Sequence, residues 1–383
     1  ADNLHSRSQA QIGHGGYQFH LTYLTGDILV DAGGDILVRS GAYREQYAQI
    51  GHGGSEAYSS VIGGFYDRTE AFDTYDTGAI TSTPILTDVT DTTVSLTYGS
   101  ETKVYAIDGN TANVTVNAGG DILMTHPQSA DRFYANRGGV GAGGSDFGGE
   151  FNPGGLSSDR SGYAWTLIGH GGRAIDTIQA FNPAYTRDDM IGNIAVNAGG
   201  DITLENNDGL FFWTAIGHRG TDGSERTGGA EYLAAGGTID VSAGGSVFLN
   251  AGFAAANDQN VGDSGFGVPA DRNPVAIGHG GTMDLYDFVV LDKDWNGVAL
   301  ATINGIVADS DITVTAGVNV LLQGGNAWRG SSAQIGNGFS SDVGNDRAHA
   351  NNVATGFSGD IKVYAGNNIE LRAGTNPWNS AAD

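Results

Sequence analysis

The chain of 383 residues carries 43 acidic residues against 18 basic ones, a formal net charge of −25, and no cysteine. That charge disfavours nucleic acid and anionic membrane surfaces as partners. Apolar residues, 39% of the chain, fall in short alternating patches, none long enough to span a bilayer.

Glycine contributes 63 residues and proline 7, a balance that fits neither a collagen-like chain nor a Pro-rich disordered one. Ala1-Asp2-Asn3 opens the sequence without a charged and apolar leader, so a signal peptide is expected to have been removed or to lie upstream. A continuous stacked core needs no disulfides, so the lack of cysteine is compatible with an exported repeat protein.

In chain order, the first recognisable unit is Ile12–Gly16, which reads IGHGG, followed by Asp27–Val38, which reads DILVDAGGDILV. IGHGG returns at Ile50–Gly54. The stretch Phe65–Asp108 breaks the pattern; rich in Thr and Asp, it reads as an inserted β-hairpin. The Ala-Gly unit returns at Asn113–Met124 (NVTVNAGGDILM), and the Gly-rich run 138–155 reads as a loop containing a degenerate VGAGG copy at Val140–Gly144.

The two motifs then alternate through Ile168–Gly172, Asn193–Leu204, Ile216–Gly220 (IGHRG), Thr238–Leu249, Ile277–Gly281, Asp311–Leu322, Ile335–Gly338 (IGNG) and Asp360–Leu371. Residues 254–273 lengthen one interval and read as a loop insertion. In every Ala-Gly copy, apolar and polar residues alternate on both sides of the Gly. Such period-two alternation marks half-buried strands, and Gly33, Gly119, Gly199, Gly244, Gly317 and Gly366 mark the corners between them. No segment shows a sustained helical stripe. The expected fold is all-β: one parallel β-solenoid over residues 1–383, a β-helix with loop and hairpin insertions, whose coils bury their apolar residues only by stacking.

The AGGDI and IGHGG repeats resemble those of filamentous-haemagglutinin-type exoproteins and related giant β-strand-repeat surface proteins, over nearly all the chain outside Phe65–Asp108. The resemblance implies a right-handed parallel β-helix at the cell surface or outside the cell, serving adhesion, fibre formation or display. Neighbouring-cell or host glycans and proteins are the partners it implies. It carries over no catalytic or binding residues.

Counted from the Ala-Gly unit, the motifs do not pair off: Ile12 has no partner before it and Leu371 no Ile-Gly motif after it. Residues 372–383 resemble the 323–332 segment that leads into Ile335. Two expectations follow. Copies stack head to tail, with Ile12, Gly13, Ile369, Leu371 and Trp378 at the joint, or the chain is cut from a longer array.

His14, His52, His170, His218 and His279 share one repeat position. An imidazole ladder there could bind a transition metal. Alternatively each ring bonds the neighbouring coil's backbone, and Asn337 at the sixth position favours this second reading, so no metal is expected there. Asp35, Asp121 and Asp201 read as solvated corners, with calcium the remaining cofactor candidate. Phe211, Phe212, Trp213, Trp295, Trp328 and Trp378 read as loop aromatics that pack the shaft or stack on sugars.

A carbohydrate-active or carbohydrate-binding β-helix is the competing reading. Asp188-Asp189 and Asp292–Asp294 are its carboxylate clusters, but no feature separates them from surface charge. Nucleophile elbow, P-loop and zinc signatures are all missing. No enzymatic activity is expected.

Overall fold

The computed structural model describes residues 9–20, 23–41, 46–58, 61–62, 84–89, 93–98, 101–106, 112–126, 164–173, 186–206, 212–218, 230–252, 274–279, 302–325, 332–338 and 354–374. The first coil sets the pattern. Strand β1 (Gln9–Ile12) leads through the Gly-His-Gly corner into β2 (Gly15–His20) and β3 (Tyr23–Leu24). Strands β4 (Ile28–Ala32) and β5 (Ile36–Arg39) follow, separated by the Gly33-Gly34 corner, and β6 (Tyr47–Ile50) begins the next coil.

Stacking the coils makes four six-stranded sheets, which we call faces 1 to 4 and which carry β1, β3, β4 and β5 respectively. Face 1 orders Gln9–Ile12, Tyr47–Ile50, Ala164–Ile168, Phe212–Ile216, Val275–Ile277 and Ala333–Ile335 along the stack. All pairs between coils are parallel, and faces 1, 3 and 4 pair residue for residue in register. The protein is therefore a parallel β-solenoid, and no helix occurs among the described residues.

Counted from the Ile-Gly strand, each of the six coils holds one Ile-Gly and one Ala-Gly motif. The unpaired first and last motifs expected from the sequence came from starting the count at the Ala-Gly corner. Within 65–108, the described residues form a three-stranded antiparallel sheet, Pro84–Val89, Thr93–Tyr98 and Glu101–Ala106, one strand more than a hairpin. The Gly-rich run 138–155 and the 254–273 segment lie outside the described residues.

Alternation explains the core. On face 3 the inward rows read Ile28, Val114, Ile194, Ile239, Ile312, Ile361 and Val30, Val116, Val196, Val241, Val314, Val363. These β-branched side chains suit a pleated strand and pack like on like, and the middle coils bury them completely. A register slip of one residue would turn each row outward, so burial fixes the register.

Sterics require the corner glycines. A Cβ on Gly119, Gly199, Gly244, Gly317 or Gly366 would run into the carbonyl of the corresponding glycine in the preceding coil. At Gly33, on the first coil, a Cβ meets nothing. Gly199→Ala should therefore destabilise the protein by about 1–3 kcal/mol, while Gly33→Ala should leave the denaturation midpoint of the single chain nearly unchanged. Urea titrations of the two variants check this contrast.

Candidate functional site

Face 1 ends in a corner where six side chains stack: His14, His52, His170, His218, His279 and Asn337. Successive imidazoles lie 5.0, 5.0, 4.5 and 4.5 Å apart, with interplanar angles from 3° to 19°. From His52 to His279, each ring's Nδ1 accepts the backbone N–H of the preceding coil's histidine, at 2.9, 3.0, 3.0 and 2.8 Å. At the fifth step Asn337 Oδ1 accepts from His279 N–H at 3.0 Å.

An accepting Nδ1 places the proton on Nε2. That Nε2–H donates to Gly26 O from His52 (2.7 Å), to Ala112 O from His170, to Gly192 O from His218 (2.7 Å) and to Gly237 O from His279 (3.0 Å). Asn337 reproduces both halves, donating through Nδ2 to Ser310 O (3.2 Å) and Ser358 O (2.7 Å). From His52 to His279, both nitrogens of each ring are engaged, and the rings lie parallel without converging on a point. A metal would have to break two hydrogen bonds per ring. Among the described residues, no group of three or more His, Cys, Asp or Glu side chains could hold a metal ion.

A glutamine one residue before the Ile-Gly pair braces the same corner. Gln11 Nε2 donates to Gly51 O and Gly53 O, both at 3.0 Å; Gln49 Nε2 donates to Gly169 O (3.1 Å) and Gly171 O (2.9 Å).

The Asp residues after the Gly pair do more than face water. Asp35 Oδ1 accepts Asp121 N–H (2.8 Å), Asp121 Oδ1 accepts Asp201 N–H (2.8 Å), and Asp201 Oδ1 accepts Ser246 N–H (2.6 Å). Each carboxylate occupies the space left by the second glycine of the next coil, at Gly120, Gly200 and Gly245. Where that ladder position becomes Ser246, the glycine position above it becomes Val318. Asp27, Asn113 and Asn193 form a second such row before face 3.

Trp213 lies on a face 1 strand, so the loop reading of it is corrected. It is fully buried and stacks on Trp165 at 5.7 Å, which stacks on Tyr47 at 4.3 Å. Burial leaves no face of either indole to a sugar. Trp295, Trp328, Trp378 and Asp292–Asp294 lie outside the described residues. Asp188 and Asp189 fall on the face 2 strand Thr186–Ile191.

Sequence reasoning missed a buried polar cluster at the corner after face 4. Ser40 Oγ contacts His126 Nδ1, and His126 Nε2–H donates to Trp213 O at 3.2 Å. Thr214 Oγ1 donates to Asn206 Oδ1 at 2.6 Å, and Asn206 Nδ2 to Pro274 O at 2.8 Å. The signal was available: Ser40, His126 and Asn206 each follow a face 4 strand directly. The Ser-His contact has the form of a nucleophile and its base, but Ser40 and His126 are 4% and 1% exposed, too buried for a substrate.

Of the residues expected at a joint, Ile12 and Gly13 lie on the first coil and Ile369 and Leu371 on the last, at opposite ends of the stack. No family model, no curated protein and no solved structure matches the chain.

Burial pushes His126 and His170 down to about 3 and holds His218 well below its ordinary value, with His52 lowered as well. Above pH 6.5 these groups are neutral both folded and unfolded. Below it the unfolded chain binds protons that the fold refuses, so stability falls with pH down to about 3. Each of the three deeply buried histidines contributes up to about 1.4 kcal/mol per pH unit in that window. Melting temperatures should drop as pH falls below 6.5, and His170→Asn, which copies Asn337, should fold and lose stability more gradually on acidification.

Proposed function

We propose that the chain is a shaft segment of an extracellular fibre or adhesin, built to hold coils together and display what projects from them. The observation that carries this reading is the histidine ladder. Residues that elsewhere perform acid–base chemistry or bind metals here spend both ring nitrogens on neighbouring backbone. The glutamine and aspartate rows are used in the same way.

The AGGDI and IGHGG repeats, with their likeness to haemagglutinin-type exoproteins, support a place at the cell surface, and the charge of −25 supports contact with glycans or proteins over nucleic acid. Antibody raised against the chain should label intact, unpermeabilised cells that produce it, and external protease should remove the label. Labelling that appears only after permeabilisation overturns the assignment.

A further inference from the structure

The two ends of the stack differ from its middle: inward residues lie open at both, although Ile28 and Val38 of the first coil stay buried at 7% and 5% exposure. Ile12 is 49% exposed where its neighbour in register, Ile50, is 4% exposed. On the last coil the inward Ile361, Ile369 and Leu371 are 50%, 50% and 73% exposed. We propose that these faces are complementary, and that the last coil of one copy receives the first coil of a second copy of this chain, in the register used between coils. The inference rests on the shaft reading and names the partner.

The apolar rows match position for position. Extending the in-register pairing sets Ile361, Val363 and Ala365 over Ile28, Val30 and Ala32 of the second copy. It likewise sets Ile369 and Leu371 over Ile36 and Val38, and Ile335 over Ile12. These are the residue types that already stack inside the protein.

The polar ladders have direction, and both directions match at the joint. On face 1 the donor lies in the earlier coil: a backbone N–H gives to the next coil's His Nδ1. Asn337 N–H and the second copy's His14 Nδ1 occupy those donor and acceptor positions. At the corners flanking face 3 the direction reverses, and the earlier coil accepts: Asp311 Oδ1 takes Asp360 N–H at 2.8 Å, and Asn319 Oδ1 takes Asn368 N–H at 3.2 Å. Asp360 and Asn368 side chains would take the N–H groups of Asp27 and Asp35 in the same way. Gly33, whose Cβ direction is open, would receive the Gly366 carbonyl as Gly119 receives that of Gly33.

Gln334 is the most specific sign. Glutamine braces the Ile-Gly corner in the first two coils; Leu167, Ala215 and Ala276 replace it in the next three, and it returns at Gln334 in the last. Gln11 and Gln49 each donate to two glycine carbonyls of the following coil, whereas the contact seen for Gln334 Nε2 is Asn337 O of its own coil at 3.5 Å. The equivalent acceptors for Gln334 are Gly13 O and Gly15 O of the second copy.

Charge fits on face 3. Lys362 would sit over Leu29, diagonal to Asp27 and Asp31. Arg372 would meet Arg39, but its guanidinium is already bonded to Glu370 at 2.6 and 2.8 Å. A joint of this kind is heterologous and does not close, so it propagates. Six coils spaced about 4.8 Å apart give an axial repeat of about 29 Å.

Sedimentation velocity on the purified chain over a wide concentration range tests the joint. Wild type should give a ladder of species growing with concentration, and assembled samples should diffract with the 29 Å repeat estimated above from the coil spacing. Leu371→Lys blocks one face and Ile12→Lys the other; both positions are exposed, so each variant should melt like wild type at concentrations dilute enough to keep it monomeric, yet lose every species above monomer. Mixed together, the two variants should form one heterodimer and nothing larger, since each retains one good face.

Wild type that stays monomeric at all concentrations overturns the joint, and so do variants that still oligomerise alone. A closed dimer unaffected by either substitution points to a different surface and overturns it too. Surface labelling of intact cells reads the shaft assignment separately, so the two failures are distinguishable.

Discussion

The coils of this protein satisfy their strand backbones in the coils above and below, because parallel neighbours within each face belong to different turns of the chain. Everything else follows from that constraint. Residue-for-residue register sets each side chain against its counterpart one turn away, so a residue type survives at a position only if it tolerates itself as a neighbour. Isoleucine and valine do so by packing inside, and glycine by allowing backbone to touch backbone at the corners. Asparagine, glutamine and neutral histidine do so because each carries a donor and an acceptor and can pass a hydrogen bond along the stack.

Ionised side chains are tolerated on the same terms only where water reaches them. Asp35 and Asp121 are exposed and Asp201 half-buried at these corners, and each points one oxygen at a backbone N–H. Inside, the same geometry admits uncharged histidine alone. His170 and His218, ring on ring and fully buried, would repel one another if both were protonated, and burial already disfavours the first proton.

Faces 3 and 4 were legible because their alternation is strict and the first glycine of the corner between them recurs in all six copies; the Ile-Gly strands of face 1 were legible through the five-residue motif. Asn337 makes the histidines' backbone role legible in the sequence itself, since asparagine can match the hydrogen bonds of imidazole but makes a poor metal ligand. Face 2 left no such trace: Thr186–Ile191 and Ala230–Gly236 pair in parallel yet share no pattern that alternation would reveal. His126 escaped because its partners Ser40, Trp213 and Thr214 are distant in sequence and chemically unlike one another. Trp213 looked like part of a polar loop because the segments around it vary in length, and length is what the coil leaves free.

The antiparallel sheet Pro84–Ala106 enters between Val61–Ile62 and Val114–Ala118, yet Val114–Ala118 returns to Ile28–Ala32 with no shift in register. The stack thus treats what is spliced between its faces as cargo. Its own pairing is decided before and after the splice, by residues the cargo does not contain. A different module spliced at that seam would leave the support's own pairing unchanged, so the seam offers an engineer a mounting point for foreign sequence.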